Sequence, residues 1–355
     1  MHFDDGQVPV EYSNHIRRKL IFIISGLVLT AAVLISSIGM GPVSISAPET
    51  LLTLLGDTIS KRFDLIIWNI RLPQALTAIA AGAGLSVAGA VMQAILRNPL
   101  GSPFTLGISH AAAFGAAVSV MLLDLGTMAS SNVGAVTINS PYLTTAIAFG
   151  FSLIATFAII AISRLRRATP EVMVLTGVAL GALFTAGTMF LQYFADDVQL
   201  AAMVFWTFGD VARATWTELG IISAVTVTAY VWFTMNRWNF NAIEAGDETA
   251  KGLGVKVERV RLVGMLLSSL VTAVIVSFLG IIGFVGLVCP HMVRRLIGDD
   301  YRFLLPASCI LGAVLLLAAD TAARLMLAPN VLPVSVLTAF LGAPVFIWLI
   351  IRGNK

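Results

Sequence analysis

The sequence predicts an all-α, polytopic membrane protein with about ten transmembrane helices. Three observations lead there. Charged residues make up 12% of the chain and hydrophobic residues 58%, whereas a water-soluble domain carries about 25% charge. Mean hydropathy is +0.92, so lipid is the solvent for most of the surface. The apolar residues fall in long continuous runs, which suits helices; a β-barrel would need short alternating strands.

A bilayer core takes roughly 20 apolar residues per helix. The candidate spans are 20–40, 65–96, 103–123, 141–162, 171–194, 217–235, 260–280, 283–297, 304–326 and 333–352. The first follows "HIRRK" and has the look of a signal peptide. The many runs behind it favour an uncleaved first membrane helix. The second is long enough to tilt or to project beyond the membrane. The eighth is short, and Pro290 should kink it. "AAGAGLSVAGA" (80–90) and "LTGVALGALFTAG" (175–187) carry small residues that let helix backbones approach closely in lipid. "GAG" is no nucleotide fingerprint, because no strand precedes it.

Ten spans put both termini on one side. With that side in the cytoplasm, 17 of the 22 Lys and Arg residues fall in inside connections. Only Lys61, Arg62, Arg71, Arg213 and Arg324 fall outside. This bias sets the orientation. The chain then reads as one transmembrane domain, 1–355, with a cytoplasmic tail over 1–19 and a charged cytoplasmic segment over 236–259.

Several chemistries are excluded. The net charge of +3 forms no basic stripe, so nucleic acid is not a partner. Cys289 and Cys309 lie in apolar runs, and no CxxC pair marks zinc or a redox site. No GxxxxGK[ST] and no HExxH occurs. Ser109 and His110 are adjacent, so on a helix they point about 100° apart and make no nucleophile–base pair. His2, His15, His110 and His291 are scattered, and no metal site is expected. For His291, a polar residue at a packed helix kink is favoured over a haem or metal role. No catalytic residue is assigned.

Asp320 and Arg324 stand four apart on the ninth span and share a helix face. A charge at mid-membrane costs roughly 2.5–3.5 kcal/mol, so such a pair marks function or mutual neutralisation. It keeps an ion-coupled secondary carrier as the alternative of a different class. The stretch "NAIEAGDETAKGLGVKVERVR" (241–261) gathers eight charged residues, balanced in sign, in an otherwise oily chain. Charge alone leaves an ordinary solvated loop and a docking element equally placed.

Three segments resemble the FecCD family of ABC-importer permeases. They are "RLPQALTAIAAGAGLSVAGAVMQAILRNPLGSPFTLGIS" (71–109), "AIEAGDETAKGLGV" (242–255) and the stretch from "GFVGLVCPHMVRRLIGDDYRF" to "FLGAPVFIWLI" (283–350). The resemblance runs from about residue 65 to the C-terminus. It implies a cobalamin-importer-permease-like fold in the cytoplasmic (inner) membrane. The chain would be a transport subunit and no enzyme, without a cofactor of its own. Its partners would be a second permease copy, two cytoplasmic ATPase subunits carrying ATP and Mg, and an extracytoplasmic substrate-binding protein. A homodimer is favoured, because one chain contains every family segment. The cargo would be a metal chelate, ferric siderophore first, with haem or cobalamin as alternatives within the family and oxyanions carried by close relatives.

The resemblance also assigns residues. The 236–259 segment becomes the coupling element that docks on the ATPase. Glu244, Asp247, Glu248 and Lys251 are its docking candidates, and Gly246, Gly252 and Gly254 permit its sharp turns. Arg71 and Arg324 match outer-face positions that meet glutamates of the binding protein; snorkelling to the headgroups is their other reading. Many members read RLPR where this chain has Gln74. The path is expected along the fifth span, with Thr176, Thr185, Thr188 and Gln192 as mild polar groups, unless the threonines bond to their own helix backbone.

Overall fold

The computed structural model describes residues 10–41, 43–57, 60–122, 126–128, 136–138, 141–165, 169–327 and 330–351. The first part of the 1–19 tail, with His2, lies outside the described residues. So do Arg166, Arg167, Arg352 and Lys355 of the cytoplasmic basic set.

Every predicted span becomes a helix. Helix α1 (Val10–Gly39) starts well before its apolar run, so its first turns are more polar than the rest. A short α2 (Ala47–Leu54) follows, opened by a Ser46–Glu49 capping box. The second span is the long one, as expected. Helix α3 (Lys61–Ile66) passes through a π-turn (Ile67–Arg71) into α4 (Leu72–Leu96), giving 36 helical residues without a break. Helix α5 (Ile108–Leu122), α6 (Pro141–Leu165) and α7 (Pro170–Phe194) follow.

Between α5 and α6 lies a small antiparallel ladder, β1 (Gly126–Met128) with β2 (Val136–Ile138). Sequence reasoning expected no strand there. Its register pairs Thr127 with Thr137. Helices α8 (Asp197–Thr207) and α9 (Trp216–Met235) each begin at a capping box, Asp196 with Gln199 and Thr215 with Glu218. Helix α10 (Arg237–Glu244) and α11 (Asp247–Gly252) form the charged segment. Helix α12 (Val257–Leu279), α13 (Val285–Ile297), α14 (Tyr301–Met326) and α15 (Val334–Ile351) complete the bundle.

Among the described residues, seven of these helices are long and apolar enough to cross a membrane. Helices α5 and α15 are shorter apolar ones. Helix α13 has 13 residues, about 20 Å of rise, against a hydrocarbon core near 30 Å. The eighth crossing is therefore part helix and part extended chain. Residues 280–284 are non-helical, and Ile281 makes a parallel bridge to Phe208 while Asp210 N–H donates to the Leu279 carbonyl at 2.8 Å. Irregular backbone at this depth persists because it is bonded inside the protein.

Helix α4 is the axis of the packing. Its apolar window is 78% buried, against 11% for α1 and for α7. The hydrophobic effect does not drive helices together in lipid, so close contact must do it. Gly82 of α4 lies against the Gly312 carbonyl of α14, and Gly89 lies against the Gly286 carbonyl of α13. A Cβ at either glycine of α4 would overlap that backbone. Pro290 has no N–H to offer Gly286 four residues back, so the carbonyl that Gly89 covers is one the α13 ladder leaves open.

Candidate functional site

The charged segment is two short helices joined by a turn. Gly246 turns the chain at φ +124° between α10 and α11, and Gly254 at φ +82° turns it out again. Both conformations favour glycine. Gly252 closes α11 in open space.

The four docking candidates divide into two pairs. Glu248 and Lys251 face outward and pair with each other at 3.0 Å across one helical turn. Glu248 draws the Lys251 ammonium above its ordinary pKa. Glu244 and Asp247 turn toward the bundle instead. Both Asp247 oxygens accept from Arg261 Nη2, at 2.9 and 3.1 Å, and Arg97 stands 4.0 Å away. Arg261 is 2% exposed, and its Nε donates to the Ile95 carbonyl at 2.7 Å. Glu244 pairs with Arg294, which also binds Asp299 at 3.2 Å and the Tyr301 hydroxyl. Burial pushes the Glu244 carboxyl up, and Arg294 pulls it part of the way back. Asn241 completes the seat by linking Asp300 and the Tyr301 N–H. Burial raises the Asp300 carboxyl, yet hydrogen bonds from Arg302 and Asn241 outweigh it and hold it below its ordinary value.

Sequence reasoning missed the partners. Arg261 sits inside the predicted span 260–280 and Arg294 inside 283–297, and an ionisable residue within a span was the available signal. It also passed over Leu253, which is 70% exposed between two glycines and is the apolar tip of the segment.

The outer cluster differs from the expectation of arginines set at the surface. Arg71 is 5% exposed and caps the end of α1, donating to Ile38, Gly39 and Val43 carbonyls at 2.7, 3.0 and 2.5 Å. Arg324 donates through Nε to Asp320 at 3.1 Å and through Nη2 to Ser37 Oγ at 2.7 Å. Gln74, the departure from RLPR, donates to the other Asp320 oxygen at 2.9 Å. Arg213 caps α8 through the Phe205, Trp206 and Phe208 carbonyls. Lys61 and Arg62, on the first turn of α3, are exposed at this end.

On α7, Thr185 and Thr188 donate to the Gly181 and Phe184 carbonyls of their own helix, at 2.8 and 2.9 Å. Thr185, Thr188 and Gln192 fall within about 60° around the helix, and Thr176 lies about opposite them. The broad exposed face is apolar, with Leu175, Val178, Leu183, Met189, Phe190 and Tyr193. The polar residues stand at its edge. A groove of about 480 Å³ brings Thr185 together with His110, Phe104 and Met189. Among the described residues no cluster of His, Cys, Asp and Glu could hold a metal ion.

The model of the FecCD transport family matches residues 28–352. The chain belongs to this family. It is 52% identical, over 98% of its length and 99% of the relative's, to MJ0087 of Methanocaldococcus jannaschii, assigned by inference as an ABC transporter permease protein. It is 36% identical to the hemin transport system permease protein HmuU of Yersinia pestis, over 93% of this chain and 95% of that one. A vitamin B12 import system permease protein, BtuC of Vibrio cholerae, is 37% identical over 81% and 83%. Among solved structures, an inward-facing transporter assigned by inference to the metal-chelate ABC type superposes with a TM-score of 0.81. That pair is 29% identical and covers 93% of this chain and 98% of the other. FecCD members are multi-pass membrane transport subunits, which accords with the ten helical spans.

Proposed function

We propose that this chain is the membrane-spanning permease of an ATP-driven importer that moves a metal chelate into the cytoplasm. The observation that carries the reading is the family match across 28–352. Ferric siderophore is the first cargo, with haem and cobalamin as alternatives, since relatives named for hemin, vitamin B12 and Fe(3+)-citrate lie within 33–37% identity. The chain sits in the cytoplasmic membrane with both termini inside, as the distribution of Lys and Arg supports. It works as a dimer with two ATPase subunits, which hydrolyse ATP with Mg, and with an extracytoplasmic binding protein.

In this reading α10 and α11 dock on the ATPase, with Glu248, Lys251 and Leu253 as the outward-facing contacts and Glu244 and Asp247 as the seat. Arg71 and Arg324 organise the outer face that receives the binding protein, and Lys61 and Arg62 stand exposed at the same end. Helix α7, with Thr176, Thr185, Thr188 and Gln192, borders the path. An ion-coupled carrier would want a carboxylate free to exchange protons. Asp320 is held by Gln74 and Arg324 together, which fits neutralisation.

The test is uptake into liposomes by the assembled complex, offered ferric siderophore, hemin and cobalamin in turn. ATP-dependent uptake of one of them is expected, lost when residues 244–251 are replaced by a neutral linker. Uptake driven by an ion gradient without the ATPase would overturn the reading.

A further inference from the structure

The two inward carboxylates of the charged segment do not end on the helices that carry their partners. Each contact continues to the same third helix. Asp247 is gripped by Arg261 of α12, and the Nε of that guanidinium donates to the Ile95 carbonyl of α4. Glu244 is gripped by Arg294 of α13, which binds the Tyr301 hydroxyl, and that hydroxyl donates to the Ala90 carbonyl of α4 at 3.3 Å. The Arg294 guanidinium also lies over the Tyr301 ring, 5.3 Å from its centre. Tyr301 is fully buried and Arg261 nearly so.

We propose that Arg261 and Arg294, the latter through Tyr301, are positioning residues for energy coupling, which fasten the ATPase-docking segment to the cytoplasmic end of α4. The proposal rests on the coupling reading given above and adds which side chains transmit the movement and which helix receives it. Ordinary packing would spread the load over every neighbour of α10 and α11. Here two links that start from carboxylate–guanidinium pairs, one ending on Ile95 through the guanidinium and one on Ala90 through the Tyr301 hydroxyl, converge on one element about 1.4 helical turns apart. Both use guanidinium, whose rigid fork serves a carboxylate and a second acceptor at once. A lysine ammonium at either position has three donors but no fixed fork, so it holds the two acceptors less rigidly. Helix α4 is also the element best placed to carry a displacement, because it is the most buried of the long spans and is locked to α13 and α14 by backbone contact.

The distinguishing readout is the amount of chelate taken up per ATP hydrolysed by the complete complex in liposomes, with ATPase retention measured by co-purification. Arg261→Gln, Arg294→Lys and Tyr301→Phe are compared. Each is expected to keep the ATPase bound and hydrolysing within about twofold of wild type, while the uptake-to-hydrolysis ratio falls at least fivefold. Tyr301→Phe is the sharpest variant, because both charged partners of the Glu244–Arg294 pair remain while the hydroxyl that joins their cluster to α4 is removed. A proportional fall of uptake and hydrolysis would reduce these residues to a structural role and overturn the proposal. So would an unchanged ratio in Tyr301→Phe, or loss of the bound ATPase in Arg261→Gln. The coupling reading itself fails on a different result, namely an ATPase that stays bound and drives uptake after residues 244–251 are replaced by a neutral linker.

Discussion

Arg71→Ala separates a cap from a docking residue. The side chain donates to three carbonyls at and just beyond the C-terminal end of α1, where an α-helix leaves its last carbonyls without partners. The Gly39 carbonyl has a second donor, the Ile45 N–H at 3.0 Å. The Ile38 and Val43 carbonyls rely on Arg71. Each buried acceptor left bare costs about 1–3 kcal/mol. The Val43 bond is only part-buried, so the two together come to about 3 kcal/mol, a loss in the range of a disrupted cap with an added buried bond. At about 2 °C per kcal/mol for a chain larger than 250 residues, the melting midpoint in detergent should fall by about 6 °C. Arg71→Lys, with one compact charge for several acceptors, should recover roughly half of that. The assay is thermal unfolding of purified protein, run beside titration of the assembled complex with its binding protein. An unchanged midpoint together with weakened binding would refute the capping argument and return Arg71 to the outer surface.

Other expected outcomes follow from the same contacts. Gly89→Leu should abolish folding and Gly89→Ala should cost about 3 kcal/mol, seen as loss of monodisperse protein and a lowered midpoint, because the added carbon meets the Gly286 backbone. Asp320→Asn should destabilise by about 3 kcal/mol, since Arg324 loses its buried partner, and adding Arg324→Gln should restore part of it in a double-mutant cycle. Leu253→Ser should leave the midpoint unchanged within about 0.5 kcal/mol, while ATPase association measured by co-purification weakens by about 1–2 kcal/mol. Glu244 has its pKa raised in the folded chain, so just above 4.5 the native state holds a proton that the unfolded chain has released. Stability should therefore rise as pH falls toward 4.5, and this slope should be absent in Glu244→Gln when midpoints are compared from pH 7 to 5.

The helices were legible because lipid leaves few options. A continuous apolar run of this length has to satisfy its own backbone, so the spans could be placed from composition. Breaks were harder. The half-length α13 depends on a bond from Asp210 N–H to Leu279 and a bridge from Phe208 to Ile281, and both are pairings between distant segments. The two short strands gave no periodic signal over three residues each. In the candidate site, residue types marked out the segment but not the direction of each side chain. Asp247 and Glu248 are neighbours in sequence, yet one is clamped by Arg261 and the other faces solvent. Gln74 read as a missing arginine, and only the fold brings it to Asp320.

That last contact has a consequence for how the protein is made. Gln74 and Asp320 are 246 residues apart. At a synthesis rate of 5–20 residues per second, α4 enters the membrane roughly 12–50 s before the helix that supplies the Gln74 amide with its acceptor. Throughout that interval the face of α4 that carries Gln74 and Gly82 is laid against lipid or against the insertion machinery. Truncated nascent chains ending between α4 and α14 should thus be the ones that quality-control proteases remove.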